Sequence, residues 1–219
     1  ALAKAAQTLI EHGELAEGRK LVNRLDLARV SNDTAYTLLT TLGEKLLAVE
    51  PAAGLETMEE AYLGYPAERE PNDEQRLLEA YLAADRTAAA RRLVMEMAAR
   101  TREQPVLASN LIDAAVTWGD HLYNAGDYSA AADAYAIAVD TATSASEPIR
   151  GARTDPAWAK YQRANALLRM AEFDRSLPLL EEIAASNAPW ASEAGLKAEY
   201  ARTERRLRGY GEVPARQEG

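Results

Sequence analysis

The sequence predicts an all-α fold made of consecutive helix hairpins. Alanine, which has the highest helix propensity, occupies 46 of the 219 positions. Apolar residues recur at spacings of three and four through most of the chain, which is the period of an amphipathic helix. No segment alternates between apolar and polar residues as a strand bounded by hairpin turns would.

Apolar stripes and helix-breaking residues divide the first half into six predicted helices. Gly13 separates the first two helices, Pro51 the next two, and Asp85 the last two. The predicted helices cover residues 1–12, 15–25, 33–49, 52–65 and 87–102, with another between Asp73 and Asp85. The expected helix caps are Asn32 or Asp33 for the third helix and Asn72 or Asp73 for the fifth.

The clearest pattern in the chain runs from Ala115 to Val139 and predicts two helices joined by a tight turn. Gly126 can take the left-handed conformation that ends a helix, and Asp127 can cap the helix that follows. Small residues, Gly119 and Ala131, fall where the two helices would have to pack closely.

This stretch resembles a tetratricopeptide repeat. The family pattern is a large residue, Leu and Gly, Tyr, a turn of Gly, Asp and Tyr, and then Ala, an aromatic residue and Ala. The positions that fill it here are Ala115, Trp118, Gly119, Leu122, Gly126, Asp127, Tyr128, Ala131, Tyr135 and Ala138. Ala115 and Trp118 depart from the pattern, because the family has a large residue and Leu there. The resemblance covers residues 112–142, and a second, weaker match covers residues 157–186.

The resemblance implies a right-handed α-solenoid, or superhelix, of TPR-like helix hairpins, with about five pairs and a C-terminal capping helix. By the quality of the match, the chain divides into degenerate hairpins over 1–104, better-matching repeats and the capping helix over 105–208, and a tail over 209–219. A related helical-hairpin solenoid is an alternative for the first half. The predicted turns lie at Gly13, near Ala53, and at Asp85, Gly126 and Ala171.

Prolines mark two helix starts in the second half of the chain. Pro105 is expected to open the long helix that leads into the best repeat. Residues 141–154 form a polar connector, which we expect to be the most exposed loop. Asp155 followed by Pro156 is a favourable cap and first-turn residue, so a helix is expected to begin there.

The composition limits the classes of function. The net charge of −9 argues against a general nucleic-acid binder, because such proteins need a basic face to displace counterions. The absence of Cys excludes disulfides, thiolate catalysis and Cys-ligated zinc. No apolar run approaches the ~20 residues that span a bilayer, so direct membrane insertion is not expected. The chain begins at Ala1 without Met, and we expect a processed protein or an excised segment of a longer one.

The sequence shows no constellation of catalytic residues, so we expect no enzyme activity, no cofactor and no metal. It has neither a Gly-rich phosphate loop nor a G-x-S-x-G elbow. His12 and His121 lie far apart and lack metal-ligand spacing, which favours structural roles. Asp113, Asp120 and Asp127 repeat every seven residues, which could indicate a cation site but is also typical of a solvated helix face with one cap.

In the tetratricopeptide family the first helix of each pair lines a concave groove, so the resemblance implies a partner-binding groove here. The residues that the register places in it are Asp113, Val116, Asp120, Tyr123, Asn124, Trp158, Tyr161, Asn165, Leu168 and Arg169. The first five form an acidic part, and the others an aromatic part with Asn and Arg. Together they suit an extended peptide or a helix that carries a basic and an apolar residue.

Two groove positions have a second interpretation. Trp158 and Tyr161 could instead cover the neighbouring repeat, because large aromatic residues are usually well buried. Asn165 stands where family members that grip C-terminal carboxylates also have Asn, but Tyr161 replaces the Lys of those members.

These observations lead to three hypotheses of function. The first is a non-enzymatic protein–protein interaction scaffold that binds a protein or peptide partner, as part of a larger assembly in secretion, export or motility of the bacterial cell envelope. The second is a regulatory TPR domain excised from a larger enzyme or membrane protein. The third is a helical enzyme whose site the sequence does not reveal. A periplasmic location is preferred over a cytoplasmic one, and the sequence does not specify an oligomeric state.

Overall fold

The computed structural model describes residues 1–145, 149 and 151–211, without the side chains of residues 28, 210 and 211. The described residues form eleven α-helices and two short 3-10 helices, and no strand occurs among them. The predicted all-α fold of consecutive helix hairpins is therefore confirmed. The helices are α1 (Leu2–Glu11), α2 (Leu15–Arg24), α3 (Asn32–Leu47), α4 (Pro51–Gly64), α5 (Pro71–Ala83), α6 (Thr87–Glu103), α7 (Ala108–Asn124), α8 (Tyr128–Ser144), α9 (Pro156–Arg169), α10 (Phe173–Ala184) and α11 (Ala191–Gly211).

The chain divides into two compact units, Ala1–Glu96 and Met97–Gly219, and the boundary falls inside α6. The quality of the repeat match predicts a different division, between residues 104 and 105. The two compact units do not show how well each part of the chain matches the repeat, so the predicted division at residues 104 and 105 stays a prediction. Most of the predicted tail, residues 212–219, lies outside the described residues, as does part of the predicted connector over 141–154.

Four of the five predicted turns share one backbone conformation. Gly13, Asp85, Gly126 and Ala171 have φ angles of 84°, 55°, 84° and 59° respectively. In each turn, the N–H of the following residue donates to the carbonyl oxygen five residues back, a bond that closes helix ends of this kind. These bonds run from Glu14 to Leu9, from Arg86 to Tyr81, from Asp127 to Leu122 and from Glu172 to Leu167, with lengths of 2.9, 2.8, 3.0 and 2.9 Å. The same turn therefore recurs although its sequence varies.

The prediction of a turn near Ala53 is wrong. Ala53 lies inside α4, and the chain turns between the end of α3 and Pro51. Pro51 is the first residue of α4, because its fixed φ suits the first turn and its missing N–H leaves no bond unmade there.

Three predicted helix starts also differ from the structure. Ser31 caps α3 in place of Asn32 or Asp33, because its side chain accepts a hydrogen bond from the Thr34 N–H at 3.3 Å. The fifth helix begins at Pro71, so that neither Asn72 nor Asp73 is its cap. Pro105 opens a 3-10 turn, Pro105–Leu107, that precedes α7.

Two predicted caps in the second unit are confirmed. The Asp127 side chain accepts a hydrogen bond from the Ala130 N–H at 3.1 Å and so caps α8. The Asp155 side chain accepts one from the Ala157 N–H at 2.8 Å and so caps α9, with Pro156 as the first helical residue. Both caps satisfy N–H groups that have no partner inside their helix.

In the first unit, α3 and α4 pack so closely that their backbones nearly touch. A Cβ atom on Gly54 would lie 2.4 Å from the Leu47 backbone nitrogen and 2.8 Å from the Gly43 carbonyl oxygen. A Cβ on Gly43 would meet the Met58 side chain at 2.6 Å. Two glycines therefore allow this contact, which the repeat pattern did not predict.

We expect Gly54→Ala to destabilise the first unit by about 1–3 kcal/mol, because the added methyl would meet backbone atoms that cannot rotate away. Gly64→Ala is the matched control, since it lies in the same helix and a Cβ there would meet no atom within 4 Å. Chemical denaturation followed by circular dichroism measures both variants. Equal stabilities would contradict the close packing of α3 and α4.

The shared turn predicts a pair of opposite effects. Gly126→Ala should destabilise the second unit by roughly 1–2 kcal/mol, because a left-handed φ strains a residue with a Cβ and no other atom crowds this position. Ala171→Gly should relieve the same strain and so raise the free energy of unfolding. The gain is reduced by the loss of the Ala171 methyl group, which is partly buried against the core. Thermal unfolding of both variants checks the signs, and two changes of the same sign would be evidence against a common turn.

Candidate functional site

The candidate site lies in the second unit, where α7, α8, α9 and α11 hold the ten predicted groove residues and their neighbours. The ring of Tyr135 on α8 packs directly against Gly119 on α7, where a Cβ atom would lie 2.7 Å from the ring. Tyr135 and Ala131 are fully buried. Gly119 therefore lies at a close contact between the two helices, as predicted, and Ala131 is buried; that Ala131 also marks a close contact stays a prediction.

Asp120 stabilises the contact between Tyr135 and α7 by a hydrogen bond. The Tyr135 hydroxyl donates a hydrogen bond to Asp120 Oδ1 at 2.6 Å. Burial, with the hydrogen bond to Asp120 as a further cause, raises the pKa of Tyr135 well above its usual range. Tyr135 is therefore neutral at physiological pH, and Asp120 contributes to helix packing.

Asp113 holds the backbone of a distant segment. Its Oδ2 accepts a hydrogen bond from the Arg153 N–H at 3.0 Å, and its Oδ1 accepts one from the Thr154 N–H at 2.9 Å. Both carboxylate oxygens therefore anchor the chain just before the Asp155 cap of α9. Hydrogen bonds to an ionised acceptor are stronger than neutral ones, so this contact fixes the entry into α9.

Tyr161 and Asn165 on α9 belong to a polar cluster around Lys197 of α11. The Lys197 ammonium donates to the Tyr161 hydroxyl at 2.7 Å and to Asn165 Oδ1 at 2.8 Å, and pairs with Glu193 at 2.9 Å. Burial acts to lower the pKa of Lys197, but the hydrogen bonds to Glu193 and Tyr161 outweigh it and the pKa is raised. The ammonium is therefore charged and has three partners inside the chain.

Tyr161 is only 3% exposed and packs against α10 and α11, which is the second of the two interpretations given for it above. Trp158 is half-buried, with its ring centroid 5.8 Å from that of Tyr161 and 5.2 Å from that of Trp190. Such edge and tilted arrangements are favourable for aromatic rings. Truncating Trp158 would therefore disturb the packing of α9 as well as any binding.

Accessible predicted residues gather where α7 and α9 end. Arg169 Nε donates to the Tyr123 hydroxyl at 3.4 Å, and the guanidinium carbon lies 5.9 Å from the centre of the Tyr128 ring. The Tyr123 and Tyr128 rings meet edge to face at 5.1 Å. Asn124 and Arg169 are exposed, while Tyr123, Tyr128 and Leu168 are partly exposed. We call these five residues the tyrosine–arginine patch.

The ten predicted groove residues thus fall into three groups. Val116, Tyr161 and Asn165 are buried and do not face solvent. Asp113, Asp120 and Trp158 are partly exposed but engaged within the unit. The four that remain accessible and lie in the patch are Tyr123, Asn124, Leu168 and Arg169.

Two residues of this region, Tyr128 and Lys197, were not among the predicted groove residues. Tyr128 was assigned only to the repeat pattern, although its place directly after the Gly126 turn puts it beside the end of α7. No pattern in the sequence predicts that Lys197 belongs to this region, because it bonds to Asn165 from a helix 32 residues further along the chain.

Two further observations describe the molecule. Among the described residues, no group of three or more His, Asp or Glu side chains is placed to hold a metal ion. Every described helix is also too short or too polar to cross a lipid bilayer.

No protein-family model and no curated protein sequence matches this chain. Solved structures of MamA, a protein of TPR-like helical repeats, are similar to it. The structure of MamA AMB-1 aligns with a TM-score of 0.48 and 15% identity, over 82% of this chain and 86% of that one. The structure of MamA MSR-1 aligns with a TM-score of 0.45 and 15% identity, over 90% and 96% of the two chains. At this similarity, neither structure assigns a function or a partner to this chain.

The buried tyrosine predicts a pH dependence of stability. The pKa of Tyr135 is raised in the folded state. The contribution of this tyrosine to the free energy of unfolding is therefore complete below its ordinary pKa of about 10 and is lost as the pH rises further. Above pH 10 the free energy of unfolding should fall by about 1.4 kcal/mol per pH unit for this tyrosine alone. Tyr135→Phe should destabilise the unit at pH 7 by about 1 kcal/mol but make the alkaline slope shallower.

Tryptophan fluorescence measures this effect in the second unit, because all three tryptophans, Trp118, Trp158 and Trp190, lie there. Tyr128→Phe is the matched control, since Tyr128 is partly exposed. If the parent and Tyr135→Phe show the same slope between pH 10 and pH 12, the assigned role of Tyr135 is wrong.

Proposed function

We propose that this chain is a non-enzymatic protein-interaction module, and that a partner protein or peptide binds it at the tyrosine–arginine patch. The observation that carries the proposal is the contact of Arg169 with the accessible rings of Tyr123 and Tyr128 at one end of α7 and α9. Tyr and Arg are enriched among the few residues that supply most of the binding energy in protein interfaces.

The patch is also organised before any partner binds. Arg169 is held by the Tyr123 hydroxyl, and the two tyrosine rings support one another. A side chain that is already ordered loses less conformational entropy on binding, where each flexible side chain costs about 0.5–1.5 kcal/mol. The hairpin turns and close helix contacts hold the two helices that carry these side chains.

The chemistry of the patch limits what binds it. The tyrosine rings suit an apolar or aromatic side chain, and the Arg169 guanidinium suits a carbonyl or carboxylate oxygen. Asn124 follows Tyr123 in the chain and has an exposed amide, which can pair with a peptide backbone. Because Asp113 and Asp120 already have partners in the chain, they contribute less to recognition than their acidity suggests.

We further propose that the patch is part of a larger partner-binding groove formed by α7 and α9. A role in an assembly of the bacterial cell envelope, and the alternative of a regulatory domain of a larger enzyme or membrane protein, stay predictions from the sequence.

The test is a selection of peptides from a display library against the parent chain, followed by affinity measurements on variants. We expect Tyr123→Ala and Arg169→Ala to weaken binding of the selected peptides tenfold or more, which corresponds to about 1.4 kcal/mol. Arg175→Ala is the matched control, because Arg175 is also an exposed arginine, paired with Glu172, and lies outside the patch.

Circular dichroism must first show that each variant is folded. Peptides that bind the parent and both patch variants with equal affinity would show that the interaction, if specific, uses another surface.

A further inference from the structure

The last described helix, α11, has apolar residues on two opposite faces. One face is buried, because Ala194, Ala198 and Ala201 pack against the cluster that α9 and α10 form. Leu196, Tyr200 and Leu207 are 67%, 54% and 61% exposed and lie toward the other face, although the edge of the Tyr200 ring also meets Phe173 of α10, with the ring centroids 6.2 Å apart. Spacings of four and seven place these side chains in one row along a helix.

This row, which we call the α11 stripe, differs from scattered surface leucines. Single exposed apolar side chains are normal, whereas a contiguous row of large ones is typical of a surface that another molecule covers. Thr203 lies within the row between Tyr200 and Leu207, and its hydroxyl donates to the Glu199 carbonyl oxygen of its own helix at 3.0 Å. It therefore does not interrupt the stripe with an unpaired donor.

Charged residues beside the stripe show what would cover it. Glu199 and Arg206 are exposed, lie seven residues apart and therefore flank the same side of the stripe. Neither side chain makes a hydrogen bond or an ion pair with any residue that the structure describes. Their neighbours do, since Arg202 pairs with Glu181 at 2.7 Å and Arg205 with Asp174 at 3.3 Å.

We propose that the α11 stripe is the contact surface for a second copy of this chain, with the two α11 helices packed antiparallel about a two-fold axis. In an antiparallel pair, the same side of each helix faces its counterpart. Leu196 then meets Leu207 of the second copy, and Glu199 of one copy meets Arg206 of the other. The two-fold axis makes every such contact twice.

The charges select the antiparallel direction and this register. In a parallel pair, opposite sides of the two helices meet, and Glu199 would face the side that carries Glu193 and Glu204 of the other copy. Like charges across an interface are unfavourable, whereas the antiparallel pair joins opposite charges that have no partner among the residues that the structure describes. The stripe is thus self-complementary in both its apolar and its charged parts.

The size of the contact predicts its strength. A helix of 21 residues is about 30 Å long, and one helix pair buries less than the roughly 1,200 Å² of a standard interface. The dimer should therefore be reversible, with a dissociation constant on the order of 100 µM. The proposal concerns other residues than the tyrosine–arginine patch, so that either can fail without the other.

Sedimentation velocity across a concentration series tests the proposal on the whole 219-residue chain. The parent should shift from monomer toward dimer as the concentration passes about 100 µM. Leu207→Glu should stay monomeric at every concentration with little change in melting temperature, because Leu207 is 61% exposed in the single chain. A parent that remains monomeric throughout the series would overturn the proposal and leave the stripe to a different protein.

A charge exchange tests the register. Glu199→Arg and Arg206→Glu should each weaken the dimer about tenfold, because each brings two like charges together at both symmetric positions. The double variant Glu199→Arg/Arg206→Glu should restore the parent's association. Arg175→Glu is the control for a charge reversal away from the stripe, and it should leave association unchanged. If the double variant is as weak as the single ones, the antiparallel register is wrong.

Discussion

The close approach of two helices within a hairpin is the constraint on which the rest of the structure depends. In the first unit two glycines let the backbones of α3 and α4 nearly touch, and in the second unit Gly119 accommodates the ring of Tyr135. Alanine-rich helices bury little apolar area per residue, so their stability depends on short distances between helices. A Cβ atom at any of these glycines would separate a pair and displace the side chains that the pair positions.

Hydrogen bonds between polar side chains of neighbouring helices then determine which of the predicted binding residues remain free to bind a partner. Asp120 is occupied by Tyr135, Asp113 by two backbone amides, and Asn165 by Lys197. Buried or half-buried polar groups need such partners, because a group left unpaired there costs about 1–3 kcal/mol. The residues that looked most like a binding site in the sequence therefore mainly hold α7, α9 and α11 together. The tyrosine–arginine patch and the α11 stripe are left accessible.

These two surfaces suit different kinds of partner. The patch is small, polar at its edge and rich in groups that recognise a peptide, while the stripe is apolar and its flanking charges complement those of a second copy. If both proposals hold, a dimer would present the patch twice, and a partner with two binding segments would bind with an increased effective concentration. Interaction modules that work at low individual affinity commonly depend on such multiplicity.

Local signals in the sequence determined the helices, most of their turns and two of their caps. Gly126 and Asp127 act on bonds within a few residues, and Asp155 with Pro156 starts its helix for the same reason, so the residues themselves carry the information. Even these signals failed where two were adjacent, as when Ser31 capped α3 ahead of Asn32 and Asp33.

Only the tertiary structure decided which side chains meet. Asp113 reaches the backbone of residues 153 and 154 across some forty positions, Lys197 reaches Asn165 across 32, and Arg169 reaches Tyr123 across 46. A helical period shows which residues share a face, but whether that face meets solvent or another helix depends on the neighbour that packs there. For that reason the sequence left two interpretations open for Tyr161, and only the packing of α9, α10 and α11 buried it while leaving Leu196 exposed.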